Sequence, residues 1–228
     1  CSRKEIAVIF VKIVPYLKNC VFLRKNNFET VTMGRVFTEI PLLSEKDCFH
    51  IVERHKTEFT YPLHQHKEFE LNFIENGSGV RRIVGDSVEE IADYELVLIG
   101  GENLEHVWEQ GKCCSKDIRE ITIQFSPKLF EGEMLSKNQF ASIKKMLDRA
   151  EHGIAFSMSS IMKVYSTLNS LSVEKEGFVQ FLKILYLLYE LSISEESRVL
   201  ASSSFAKAGK PEESRRVQKV KEYINENY

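Results

Sequence analysis

The sequence predicts an α+β chain in which short strands form a barrel or sandwich and helices follow. Three observations carry this. Between residues 35 and 125, apolar runs of four to eight residues alternate with turn residues. After Pro127 the apolar spacing changes to the three-and-four period of helices. The composition, 43% hydrophobic and 28% charged over 228 residues, is that of an ordinary soluble chain and excludes collagen-like, disordered and disulfide-scaffold classes.

Taken in order, residues 36–40 read as a strand stopped by Pro41. Residues 49–52 form another, and 57–60 a third leading into Pro62. Residues 69–74 run into Asn76-Gly77, a hairpin signal because both residues tolerate positive φ. Residues 80–84 return, Gly85-Asp86 turns again, and 88–91, 96–99 and 118–125 complete the series. Ser136 then reads as an N-cap, with Phe140, Ile143, Leu147 and Ala150 on one helix face and Gly153 as the stop. Ser157 opens a second helix carrying Ile161, Tyr165 and Leu168. Gly177 precedes a third over 178–191, apolar nearly all round, which must be covered on more than one side. Residues 192–212, rich in Ser, Glu, Ala and Lys, read as a linker. Beyond it, Val217, Val220 and Ile224 mark a short amphipathic helix over 213–228.

The start of the chain reads as an N-terminal extension, residues 1–33. A basic opening, Ser2-Arg3-Lys4, precedes an apolar run over 6–17, but Lys12 and Pro15 interrupt it and no small-residue cleavage site follows. A second reading makes Met33 the natural start, with 1–32 as upstream sequence. Net charge is −2 overall, yet +4 over 1–33, −7 over 34–130 and +1 over 131–228. The acidic middle third is a poor surface for phosphates. Five cysteines, Cys1, Cys20, Cys48, Cys113 and Cys114, show no CxxC spacing, so a reducing cytoplasm is the simplest compartment.

His64-Gln65-His66, followed by Glu70, carries the chemistry. On one strand, residues 64, 66 and 70 share a face because the side-chain period is two. Two imidazoles and a carboxylate then converge as ligands for a divalent transition metal. His106 follows the Gly100-Gly101 turn.

At these residues the chain resembles the cupins. Their first motif is a glycine, HxH, three residues, Glu, six residues and Gly, and His64, His66, Glu70 and Gly77 match its HxH, Glu and closing Gly. His106 falls where the second motif supplies one more histidine. Around it Glu95 stands where Gly is usual, Gly101 where Pro is usual and Asn103 where Gly is usual. The longer text resembles the sensor cupin of AraC-type transcription regulators: Ile40-Pro41-Leu42, residues 64–71, Gly85-Asp86-Ser87, residues 96–100, His106-Val107-Trp108 and residues 123–126 carry it. Residues 215–224 resemble the opening helix of that family's DNA-binding domain. The likeness covers about 34–228.

The resemblance implies a jelly-roll-like cupin barrel over 34–130 that senses a small molecule such as a carbohydrate. It implies a dimerisation segment over 131–191, with Phe178, Phe181, Leu182, Leu185 and Leu188 at the contact. It also implies helix-turn-helix units that bind DNA, of which 213–228 is the first helix, and it implies no enzyme activity. The candidate ligand-binding residues are His64, His66, Glu70, His106, Trp108 and Arg82. The same three histidines and Glu70 form the candidate metal set, for Zn, Fe, Ni or Mn; sensor histidines can also simply hydrogen-bond a sugar. Trp108 suits a sugar face, although a lone Trp is more often core. Arg81 and Arg82 point opposite ways on a strand, so at most one clamps an anionic ligand. His50, His55 and His152 belong to no motif, and Cys113-Cys114 reads as an inert loop pair. The rival reading is a metal-dependent cupin enzyme of isomerase or dioxygenase type, and a third is a dimeric sugar-binding module without DNA.

Overall fold

Two sheets account for the eleven strands found among the described residues. The structure, a computed structural model, describes residues 36–202 apart from 103, 131, 132 and 195. The expected extension over 1–33 and helix over 213–228 lie outside the described residues.

The strands are β1 (Phe37–Thr38), β2 (Phe49–Lys56), β3 (His64–Gln65), β4 (Phe69–Glu75), β5 (Arg81–Val84), β6 (Ser87–Glu90), β7 (Tyr94–Ile99), β8 (His106–Glu109), β9 (Ile118–Phe125), β10 (Ile154–Phe156) and β11 (Ser197–Val199). The five-stranded sheet runs β1-β3-β8-β5-β6 and the six-stranded sheet β11-β10-β7-β4-β9-β2. Three helices follow: α1 (Ala141–Ala150), α2 (Met158–Leu171) and α3 (Gly177–Ser192). The chain is therefore β-rich α+β. No helix among the described residues is long and apolar enough to cross a membrane.

Strand alternation explains how the six-stranded sheet is covered on both faces. Leu71, Phe73, Leu96, Leu98, Ile121, Ile123 and Phe125 point one way and share a core with all three helices. The alternate residues Ile74, Val97, Ile99 and Ile118 point the other way and pack with Val84 and Trp108 of the five-stranded sheet. The polar members of that second face, Glu70, Asn72, Glu120 and Gln124, are buried as well. They form the wall from which the site is built.

The turns follow local chemistry. Asn76 takes φ 60° and Gly153 takes φ 68° after α1. The hairpin expected at Asn76-Gly77 does not form: β4 and β5 lie in different sheets, so the chain crosses between sheets there. Ser157 caps α2 by accepting from the Ser160 backbone N–H at 3.3 Å. Three further expectations change. Residues 57–60 are not a strand: β2 continues to Lys56 along β9, and the chain then turns away. Ser136 ends a short 3-10 turn and caps no α-helix; α1 begins only at Ala141. Residues 192–202 are not linker. Ser192 ends α3, β11 pairs antiparallel with β10, and Ala201 is buried. A polar sequence suits β11 because it is a sheet edge, bonded on one side only. Its Arg198 is held by Glu89 at 2.5 and 2.6 Å.

The apolar circumference of α3 splits into two stripes. Ile184, Leu187, Leu188 and Leu191 are buried in the intramolecular core. Phe178 and Leu182 are 73% and 48% exposed, while Phe181 and Leu185 are half-buried. Leu188 is thus core and not available to a second chain, because it lies beside Ile184 and Leu187 on the face packed against α1 and α2. Leu188→Ala is expected to lower the unfolding free energy by about 2–5 kcal/mol. Leu182→Ala should change it by less than about 0.5 kcal/mol in urea denaturation of dilute protein. Equal losses would overturn the assignment of the two stripes.

Candidate functional site

Between His64 and Phe69 the chain crosses from one sheet to the other. His64 belongs to β3 of the five-stranded sheet, His66 sits in the crossing, and Glu70 belongs to β4 of the six-stranded sheet. The three therefore do not share one strand face, as the spacing suggested. They converge because the two sheets face each other across the site. His106 arrives by direct cross-strand pairing, since its partner in β3 is His64. One ligand atom from each of His64, His66, Glu70 and His106 lies within 4.8 Å of the others, and all four residues are buried.

Backbone carbonyls set the orientation of all three rings. His64 Nδ1–H donates to Pro62 O at 2.9 Å, His66 Nδ1–H to Glu68 O at 2.9 Å and His106 Nδ1–H to Leu104 O at 2.8 Å. A carbonyl only accepts, so the hydrogen of each neutral ring is on Nδ1 and the Nε2 lone pair is free. His106 Nε2 is buried with no hydrogen-bond partner. His66 Nε2 lies 3.2 Å from Glu70 Oε2, which also accepts from Gln124 Nε2 at 3.0 Å. Three inward imidazole lone pairs gathered beside a carboxylate are electrostatically poor unless a cation or proton sits among them. Three imidazoles whose second nitrogen is tied to a carbonyl, plus one carboxylate, are the donor set and outer support that Zn, Fe, Ni or Mn sites use.

Protonation follows from the same geometry. Burial would raise the Glu70 carboxyl, but the His66 hydrogen bond and the charges of His106 and His66 hold it down at about 2. Burial opposes charge on His66 too, yet its bond and attraction to Glu70 raise it above the ordinary imidazole value. Burial, with repulsion from His64, pushes His106 down to about 3. His64 is lowered, first by burial. Glu70 thus favours a proton on His66, while burial disfavours one on His64 and His106.

A cavity of about 300 Å³ opens beside the cluster, with His64 and Glu70 in its wall. Val52, Phe59, Val107 and the Trp108 ring give it an apolar side. Glu39, Arg54, Lys56, Glu58, Asn72, Glu120, Thr122 and Gln124 give it a polar one. Lys56 Nζ pairs with Glu120 Oε2 at 2.8 Å, and Arg54 lies 3.6 Å from the same oxygen. Asn72 Oδ1 and His50 Nε2 are buried without partners. The sequence reading set His50 aside as belonging to no motif and passed over Arg54, Lys56, Asn72, Glu120, Thr122 and Gln124. Their signal is the period of two along β2, β4 and β9, which places them on one face.

The remaining candidates are placed differently. Trp108 lines the cavity, but its Nε1–H donates to Glu95 Oε2 at 2.8 Å, so only its ring faces a ligand. Arg82 does not reach the cavity. Its guanidinium is 2% exposed, paired with Glu95 and with Glu89 Oε2 at 2.8 Å. Its charge is spent inside the barrel wall, which is why it clamps no anion. Glu95, at the position where the motif usually has Gly, accepts from both Arg82 and Trp108. Burial nevertheless keeps its carboxyl above the ordinary value. Cys113 is buried in the core between the sheets, and Cys114 is exposed.

No family model and no curated protein matches the chain. Solved structures of ToxT from Vibrio cholerae show a distant likeness. One is 12% identical with a TM-score of 0.36, covering 61% of this chain and 54% of that one. A form bound to an unsaturated fatty acid is 12% identical with a TM-score of 0.38, covering 62% and 52%. An apo variant is 12% identical with a TM-score of 0.40, covering 79% and 67%. The chain spans about half the length of the first of these.

The pKa directions fix how the metal-free chain responds to acid. His106 and His64 are lowered on folding, so as pH falls below the free value of 6.5 the unfolded chain takes up protons that the folded chain refuses. Stability then declines, for His106 down to about pH 3. The depressed Glu70 contributes stability above its free value of 4.5 that is lost as pH falls toward about 2. The raised His66 works the other way: its contribution is full below 6.5 and lost as pH rises through its folded value. The two lowered histidines outnumber it. Thermal melts of metal-free protein at pH 7, 5.5 and 4 should show a steadily falling midpoint, shallower in His106→Leu. A flat profile would contradict the neutral buried imidazoles.

Proposed function

We propose that this chain is the effector-sensing part of a transcription regulator of the AraC type. In this reading its jelly-roll-like cupin barrel holds a divalent metal on His64, His66, Glu70 and His106. A small hydroxylated molecule, a carbohydrate, binds in the adjoining cavity. The observation that carries the metal is the orphaned Nε2 of His106, buried among two further lone pairs and a carboxylate. The regulator reading rests on the sequence resemblance over 34–228. A bound metal supplies a Lewis-acidic point that fixes a ligand oxygen.

The cavity's own residues favour a neutral, oxygen-rich ligand. Four carboxylates, Glu39, Glu58, Glu70 and Glu120, face it against two cations, Arg54 and Lys56. With a divalent metal the lining is balanced, and no excess positive charge calls for an anion. Asn72, Thr122, Gln124 and the Lys56–Glu120 pair offer donors and acceptors to hydroxyls, and the Trp108 ring offers a flat C–H-binding surface. His64 and the Glu70 carboxylate orient the ligand at the metal end. DNA contact belongs to the helix-turn-helix part that the resemblance implies, since 34–130 carries −7. A cytoplasmic homodimer completes the reading, with Phe178 and Leu182 at the contact. A Leu182→Glu variant should keep its fold and sediment as a monomer; a dimeric Leu182→Glu would refute that contact.

The second reading, a metal-dependent cupin enzyme, is favoured by one observation: the complete four-residue set borders a cavity roomy enough for a substrate. One experiment separates the readings. Protein purified without metal-affinity resin is analysed for metal, wild type beside His64→Ala/His66→Ala. It is then screened for thermal stabilisation by sugars and for their consumption. Stoichiometric metal and sugar stabilisation, both lost in the variant and with no turnover, support the sensor. Turnover supports the enzyme. Absence of metal in the wild type removes the metal from both.

A further inference from the structure

Glu39 lies outside the HxH-and-Glu motif, in the segment that follows β1, and its carboxylate reaches the same cluster. Glu39 Oε2 is 3.7 Å from His64 Nε2. It accepts from Gln124 Nε2 at 3.4 Å, the same nitrogen that serves Glu70 Oε2 at 3.0 Å. Ligand atoms bound at about 2.0–2.2 Å to one ion stand roughly 3–3.5 Å apart. The His66–Glu70 separation of 3.2 Å has that spacing, and the Glu39–His64 separation is close to it. Glu39 lines the same cavity as His64 and Glu70, so its carboxylate lies on the cavity side of the four-residue cluster.

What holds this segment is informative. β1 is two residues long and runs parallel to β3. Two backbone bonds flank it, Phe37 N–H to Leu63 O at 3.1 Å and Glu39 N–H to Gln65 O at 2.9 Å. Phe37, Ile40 and Leu42 are 57%, 89% and 80% exposed, so apolar burial contributes little to its attachment. The Glu39 carboxylate ties it inward, accepting from the Tyr61 hydroxyl and from Gln124. It lies beside a second carboxylate, Glu70, with which it shares the Gln124 amide nitrogen. Two like charges so placed are stabilised by a cation on their shared side.

We propose that Glu39 is a fifth ligand of the metal site, so that residues 36–42 are held to the barrel by coordination as well as by their backbone bonds. The inference rests on the metal reading above. Cobalt(II) is the probe, titrated into wild-type chain and Glu39→Gln purified without metal-affinity resin. Three readouts follow: affinity by competition with a chelator, the visible d–d spectrum, and amide hydrogen exchange of residues 36–42 with and without cobalt. The wild type should give the weak absorption of five-coordinate cobalt, and cobalt should slow exchange in 36–42. In Glu39→Gln the absorption should intensify toward the four-coordinate form, affinity should fall on the order of tenfold, and the protection should vanish. Identical spectra, affinity and exchange in the two proteins would overturn the role of Glu39 while leaving the four-residue site intact. A wild type that binds no cobalt, or one that still binds it fully as His66→Ala/His106→Ala, would overturn both.

Discussion

Three hydrogen bonds from imidazole Nδ1 to nearby backbone carbonyls determine what the space between the two sheets can do. Each runs over two residues, to Pro62, Glu68 and Leu104, so each ring is oriented by its own stretch of chain. The donated hydrogen fixes the tautomer, and the tautomer turns a lone pair inward. Everything at the site follows from those lone pairs. Glu70 is held ionised, its charge favours protonation of His66, and the buried Nε2 of His106 is left without a hydrogen-bond partner. A metal-binding centre needs this pre-arrangement, because rings free to rotate would cost entropy at each coordination bond.

The barrel wall supports that centre by dividing its residues between two faces. Along β4, β7 and β9 one set of side chains meets the helices and the other meets the interior between the sheets. The helices therefore cover the sheet that carries Glu70 and Gln124, and they keep its outer face dry. On the inner face many polar residues survive burial by pairing with one another, although Asn72 Oδ1 and His106 Nε2 remain without partners. Glu95 is the clearest case. It replaces the small residue that the cupin pattern has at its position, and the space is used by an Arg82–Glu95–Trp108 network that pins the Trp108 ring. Removing one member of such a network leaves a buried charge unpaired, whereas the complete set is tolerated.

Much of this was legible in the residues. Alternation located β4, β5, β7 and β9 closely, but the Asn76-Gly77 hairpin was misread, since a turn signal does not say whether the strands it joins pair or cross to another sheet. The HxH, Glu and distant His could be read as one cluster by motif spacing. The reason given by periodicity alone was incomplete, since His64 and Glu70 lie in different sheets. Arg82 was misread because strand alternation says which way a side chain points but not what already occupies that side. Leu188 was misread because an all-round apolar helix does not declare which stripe meets its own core. The polar wall of Arg54, Lys56, Asn72, Glu120 and Gln124 went unseen because it belongs to three strands distant in sequence.

By itself, the sequence determined the local quantities: strand and helix periods, most of the turns, the identity of the candidate cluster side chains, and the carbonyls close enough to orient them. These depend on neighbours within a few residues, where sterics and hydrogen-bond reach leave few options. Tertiary structure decided the rest. It set which sheet each strand joined, which face of α3 was buried, that Arg82 was neutralised by Glu95 and Glu89, and that Glu39 came to rest beside His64. Those outcomes depend on long-range pairing and on competition for buried space between residues far apart in the chain, and no local pattern encodes that competition.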